Sequence, residues 1–307
     1  MHSSPPLADV PLADLHRPLD GSIRPSTLEE LAAQHGKGVP KDLLFYQGMG
    51  LQAALATFAF TVGLLQHPQT VRRVAAEICE DAEADGVDAL EIRFAPQLHQ
   101  GAPSEEIVDA ALEGIAGRAG LILCGLYGED PAILEDHVSL AAQRTGVVGI
   151  DLAGGPTPAH RFRLEDYASP FLRAADLGLG RTVHAAEGRA PGEIRLAITK
   201  LLAQRIGHGT TVLDDPQVAA LVIEQGVTIE ACPTSNMHVG VIESIAAHPL
   251  SKWLDAGIRV CVNTDNTLLS SVTSTEEHRR VMKIPGMTEQ KLSRLIKNAH
   301  AAIFSPR

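Results

Sequence analysis

Four stretches of this chain end an apolar run on residues that can do chemistry. They are D-L-H-R-P-L-D-G at 14–21, V-H-A-A-E-G at 183–188, I-G-H-G-T at 206–210 and V-N-T-D-N at 262–266. His16, His184 and Asp265 offer two imidazoles and a carboxylate, a donor set that suits zinc. Glu187 follows His184 by three residues. A carboxylate beside metal-activated water can supply and accept protons. His208 lies between Gly207 and Gly209, where backbone or ligand can come close. An imidazole there can orient such water and stabilise developing negative charge. Singly, each has a blander reading: a core histidine satisfied by a carbonyl, or a glutamate entering a helix. Their shared position at the ends of apolar runs raises the chemical one. The remaining ten histidines (His2, His35, His67, His99, His137, His160, His238, His248, His278 and His300) fall in helical or loop-like segments and read as surface residues.

The elements that must position these residues are regular. Eight β-like runs cover 14–19, 90–95, 121–127, 147–152, 181–185, 205–208, 227–231 and 259–264. Several are almost wholly apolar, as when both faces of a parallel strand are buried. Helix-length segments alternate with them. Thr70 to Asp85 places Val71, Val74, Ala75, Ile78 and Ala82 on one stripe. Ser104 follows Pro103 as an N-cap ahead of an acidic turn, and Pro131 sits where a first helical turn tolerates it. Strand then helix, eight times over, predicts an α/β fold, a single (β/α)8 TIM barrel spanning 1–307. A doubly wound sheet has a similar strand count. In a barrel the strand ends converge on one face, the face that carries active sites. The segment 35–69 is too long for a simple loop and contains GMGLQAALATFAFTVGLL, read as inserted helices forming a lid.

Composition narrows the function classes. Of 307 residues, 26 are Lys or Arg and 37 are Asp or Glu, a formal net charge of −11 that argues against a nucleic-acid partner. No apolar run is long enough to cross a membrane, and the first residues lack the basic start and apolar core of a signal peptide. Cys79, Cys124, Cys232 and Cys261 lie far apart with no C-x-x-C pair, which suggests reduced, mostly buried thiols and a cytoplasmic location. There is no phosphate loop, no G-x-S-x-G elbow, and no P-C-x-x-C signature of the cytidine-type zinc deaminases.

With these motifs in order, the chain resembles the adenosine deaminases of the amidohydrolase superfamily. The matching stretches are DLHRPLDGSIRPSTLEELA, GVDALEIRFAPQLH, VVGIDLAGG, RTVHAAEG, RIGHGT, IEACPTSNMHVGVI, HPLSKWLDAGIRVCVNTDN and LIKNAHAAIF, spanning nearly the whole chain. The resemblance implies a barrel of the metallo-dependent hydrolase type, one Zn2+ ion, and hydrolytic loss of the 6-amino group of a purine nucleoside as ammonia. It implies His16, His184 and Asp265 as metal ligands, and Glu187 as the group that protonates purine N1. His208 would orient the attacking hydroxide. It places Asp20 near the ribose, the Gly154 backbone against the purine, and Asn266 at N7.

Three positions depart from the family pattern. The family's H-x-H reads His16-Arg17-Pro18, and proline supplies no metal donor. Three ligands still make a catalytic-type site, expected to hold zinc more weakly than four. Arg17 should point away from the site, opposite to His16. The family's Asp-Asp reads Asp265-Asn266, and an asparagine amide can still donate to N7. The family's H-A-G-E reads H-A-A-E, so Ala186 adds a methyl where backbone approach is close. Pro18 also supports an alternative: a catalytically silent or non-deaminase relative that binds a purine-like ligand with weak or no metal.

Overall fold

The computed structural model describes residues 10–305; His2 and the start of the chain read for a signal peptide lie outside them. Eight parallel strands form one sheet in the order β1 to β8. They are β1 Leu12–Pro18, β2 Val87–Phe94, β3 Gly120–Leu126, β4 Val147–Ala153, β5 Gly180–Ala185, β6 Arg205–His208, β7 Thr228–Ala231 and β8 Arg259–Val262. Sequential order with helices between neighbours is the (β/α)8 barrel, not a doubly wound sheet. Side chains bridge the seam between β8 and β1. The Leu15 N–H donates to Asn263 Oδ1 at 2.8 Å, and Thr264 Oγ1 donates to Asp14 Oδ2 at 2.6 Å.

The apolar stripes select the helix faces. In α3, Pro68–Ala84, the buried residues are Val71, Val74, Ala75, Ile78, Cys79 and Ala82. The chain then turns at Gly86, where φ is +78°. α4, Ser104–Ile115, has its acidic first turn, but Pro103 occupies the N-cap and no side chain caps it, so Ser104 is the first helical residue. α5, Pro131–Ala142, begins as its proline requires, with Asp130 accepting from the Ala132 N–H at 3.0 Å. The segment 35–69 holds one complete helix, Leu51–Leu64, behind a loop at 35–50. With α1 taken as Pro25–Gln34, this helix is α2.

The surface reading fails for five of the histidines. His99, His137, His238, His248 and His278 are buried. An imidazole is mostly apolar ring, and three of these have a visible local partner. His99 Nδ1 meets Leu65 O at 2.6 Å, His278 Nδ1 meets Ser274 O at 2.7 Å, and the His248 ring packs on Trp253. All four cysteines are buried and free. No helix among the described residues is long and apolar enough to cross a membrane.

Candidate active site

The carboxyl ends of the strands open into a cavity of about 570 Å3. Asp20, Gly154, His184, Glu187, His208, Asp265, Asn266 and Pro18 all line it. His16 lies just beneath, wholly buried, its ring 4.6 Å from that of His184 and 5.1 Å from that of His208. β1 carries a register shift between Asp14 and Arg17. Beyond it Arg17 turns from the cavity, opposite to His16, and bonds Asp14 and Ser274.

Each imidazole is oriented by a polar partner. His16 Nδ1 lies 2.6 Å from Glu230 Oε2, and His184 Nδ1 lies 3.2 Å from Asp151 Oδ1. Arg93 ties these two carboxylates together, through Nη2 to Glu230 at 2.9 Å and Nη1 to Asp151 at 2.8 Å. Burial works against the charge on both. Arg93 and Arg205 nevertheless hold Glu230 well below the usual carboxylate range, and His184 with Arg93 brings Asp151 to about 2. An ionised carboxylate at Nδ1 fixes the proton there and leaves Nε2 as a bare lone pair. His16 Nε2 is indeed buried with no partner. His208 is arranged the other way. Asn236 Nδ2 donates to His208 Nδ1 at 3.0 Å, so the ring proton belongs on Nε2. Burial, with His184 nearby, keeps His208 neutral well below the ordinary histidine range.

Two overlapping sets bring ligand-type atoms within 4.8 Å of one another: His16 with His184 and His208, and His16 with Cys232 and Asp265. The expected trio of His16, His184 and Asp265 is split between them. Nitrogen, sulfur and carboxylate donors around an orphaned imidazole nitrogen fit a zinc-type ion.

Glu187 is buried beside this centre. Its Oε1 accepts from Asn236 Nδ2 at 3.0 Å and lies 3.4 Å from His208 Nδ1. Burial raises its pKa above the usual range, against the opposing pull of His184 and Arg189. Burial and the neighbouring Asp265 raise Asp20 to about 6. Asn266 Oδ1 is buried without a partner, and a Cβ at Gly21 would come within 2.0 Å of it. Gly154 has φ +82° and open space where a side chain would project. Ala186, His208 and Asp265 are non-glycine residues held at φ +55°, +66° and +57°. Such conformations cost of order 1–3 kcal/mol each and cluster at functional sites.

Sequence motifs alone passed over the residues behind the histidines: Arg93, Asp151, Glu230, Ser235 and Asn236. A signal exists for the first three, each a charge inside a mostly apolar run (LEIRFA, which also holds Glu91, VGIDLA and TIEA). A charge is rarely buried unless paired. Ser235, which bonds the Asp265 carboxylate, and Asn236 carry no such signal.

The model of the family described as Adenosine deaminase matches residues 11–307. Adenosine deaminase of Shewanella denitrificans is 33% identical, over 96% of this chain and 94% of that protein. The crystal structure of adenine deaminase from Arthrobacter aurescens superposes with a TM-score of 0.87 at 25% identity, covering 96% of this chain and 94% of the other. Arabidopsis ADAL complexed with IMP superposes with a TM-score of 0.86, also at 25% identity, over 97% and 93%. Matching nearly end to end in sequence and in fold, the chain belongs to the adenosine deaminase family of hydrolytic deaminases.

Proposed function

We propose that this protein hydrolyses the 6-amino group of an adenosine-like purine nucleoside, releasing ammonia, with one zinc ion at His16, His184 and Asp265. The observation that carries the reading is the single cavity onto which Glu187, His208, Asp265 and Asn266 converge, beside an imidazole nitrogen with no partner. A divalent ion held by His16, His184 and Asp265 would supply Lewis acidity to activate water at neutral pH.

The protein's own groups do the rest. Asn236 occupies Glu187 Oε1, which leaves Oε2 to carry a proton to purine N1. Burial keeps that proton on the carboxyl at a higher pH than usual. His208, neutral with its proton on Nε2, presents a donor rather than a lone pair, and so orients the nucleophile. The Asn266 amide serves N7, the Gly154 backbone faces the purine ring, and Asp20 meets the ribose. Leu51, Leu55, Phe58 and Val62 of α2 close over the ring as a lid and exclude water.

The lining favours a nucleoside over a nucleotide. Arg93 is the one guanidinium or ammonium group among the described lining residues, and both its Nη atoms are committed to carboxylates. A phosphate would meet Asp20 without a free cation. The family's relatives span adenosine, adenine and an IMP complex, so the test is a panel of adenine, adenosine and AMP. Ammonia release by zinc-replete protein should be fastest, by kcat/KM, for adenosine. Preference for AMP or adenine overturns the substrate assignment. No release from any of them favours the silent relative, the reading that Pro18 supports.

A further inference from the structure

Pro18 lines the cavity but brings no donor, so β1 supplies one ligand where the family pattern has two. Another donor faces the same point. Cys232 is the first residue after β7, fully buried, and its Sγ lies within 4.8 Å of ligand atoms of both His16 and Asp265. The His16 atom free to meet it is the orphaned Nε2, because Nδ1 is taken by Glu230. The sulfur's own hydrogen bond is a long one, 3.7 Å to Glu230 O. Cys79, Cys124 and Cys261 belong to no such group among the described residues.

We propose that the Cys232 thiolate is a metal ligand in this protein, taking the position that Pro18 leaves without a donor. The ion is then held by His16, His184 and Asp265 with Cys232 as the added donor. The proposal rests on the metal-dependent reading above. Thiolate is a strong zinc donor, and the thiol proton passes to solvent on ligation.

The test uses the full chain, stripped with a chelator and reloaded with cobalt(II) alone. Ligand-field bands report a bound ion, and a near-ultraviolet sulfur-to-cobalt charge-transfer band reports the thiolate. Both are expected in the wild type, and the charge-transfer band should vanish in Cys232→Ser. Competition with a chromophoric chelator should show Cys232→Ser losing zinc affinity by at least about 10-fold, the lower scale even for groups behind the ligands. In a Pro18→His background the same substitution should cost much less, because the histidine replaces the missing donor. Ligand-field bands without charge transfer, or a charge-transfer band that survives Cys232→Ser, overturn the thiolate ligand and leave the metal reading standing. No bound cobalt overturns both. If Cys232→Ser does not fold, X-ray absorption of the wild-type zinc protein decides alone, by the presence or absence of a Zn–S distance of about 2.3 Å.

Discussion

The floor and the cover of the cavity are built on opposite principles. Beneath it, Arg93, Glu230, Asp151 and Arg205 form a buried ionic lattice that fixes both carboxylate-bound histidines. Above it, α2 is apolar, and among the described residues its side-chain hydrogen bonds, from Thr57 and Thr61, run back into the helix itself. Leu44, Tyr46 and Leu55 of the covering segment are 49%, 59% and 41% exposed. The segment is pinned on either side of α2, by Phe45 N to Leu269 O at 2.7 Å, Met49 N to His238 O at 2.8 Å, and His99 Nδ1 to Leu65 O at 2.6 Å. The charges of the floor have buried partners; the cover, proposed above as a lid, has few. Chemistry should therefore depend on the floor, and access on the cover.

The largest expected effect lies on the floor. Glu187→Gln should keep the fold and lower kcat by at least about 100-fold, the usual scale of acid–base catalysis. Steady-state kinetics checks this, and an unchanged kcat removes Glu187 from the proton path.

A second test concerns how the floor is held. Glu277, in the helix Ser274–Val281, is fully buried and accepts from Thr234 N at 2.8 Å and from Thr234 Oγ1. It thereby clamps the start of the helix Pro233–His238, which carries Ser235 and Asn236. Burial raises its pKa to about 7. The folded state thus binds the proton more tightly than the unfolded chain. The resulting stability is full below the unfolded value and is lost as pH rises through about 7. Between about pH 5 and pH 8 the wild type should lose about 2 kcal/mol more stability than Glu277→Gln, which does not titrate. Urea unfolding at the two pH values measures the difference. Parallel curves would show that the clamp is not a titrating one.

On the cover, Phe58→Ala should raise KM about 5-fold with little change in kcat, the worth of ~1 kcal/mol of partly buried aromatic surface. A fall in kcat matching that of a floor variant would erase the distinction between the two regions. The smallest effect is expected at Ala186, buried at φ +55° with its N–H on Glu193 Oε2 at 2.7 Å. Ala186→Gly should relieve the left-handed strain and stabilise the fold by about 0.5–1 kcal/mol, net of glycine's entropy. Calorimetry would read this as a melting-point rise of about 1–3 °C.

The strands were legible because both of their faces are buried. Arg205–His208 agrees in full with the expected run, and β1 lies at Leu12–Pro18 against an expected 14–19. The polar residues that end these runs were legible for the same reason: they interrupt an apolar pattern. What stayed hidden depends on distance in space rather than along the chain. Glu230 joins His16, Thr182, Arg93 and Arg205 across the barrel interior, and no local spacing announces that. The buried histidines escaped notice because a helix stripe that includes an imidazole looks like one that ends in a polar residue. His137, on the inner side of α5, is an example. Cys232 read as one more buried thiol; only the fold brings its sulfur to His16.

The seam between β1 and β8 sets a schedule for synthesis. His16 leaves the ribosome early, yet Leu15 and Asp14 find their partners on Asn263 and Thr264, 248 and 250 positions later. Glu230, which fixes the tautomer of His16, also arrives late, 214 residues behind it. A nascent chain that has made its first strands therefore carries a histidine with no orienting carboxylate and a sheet edge with no seam. Domains generally fold as units during translation. Here the unit is completed by its last quarter, so a ribosome-stalled chain ending before Glu230 should hold neither the closed barrel nor a formed site.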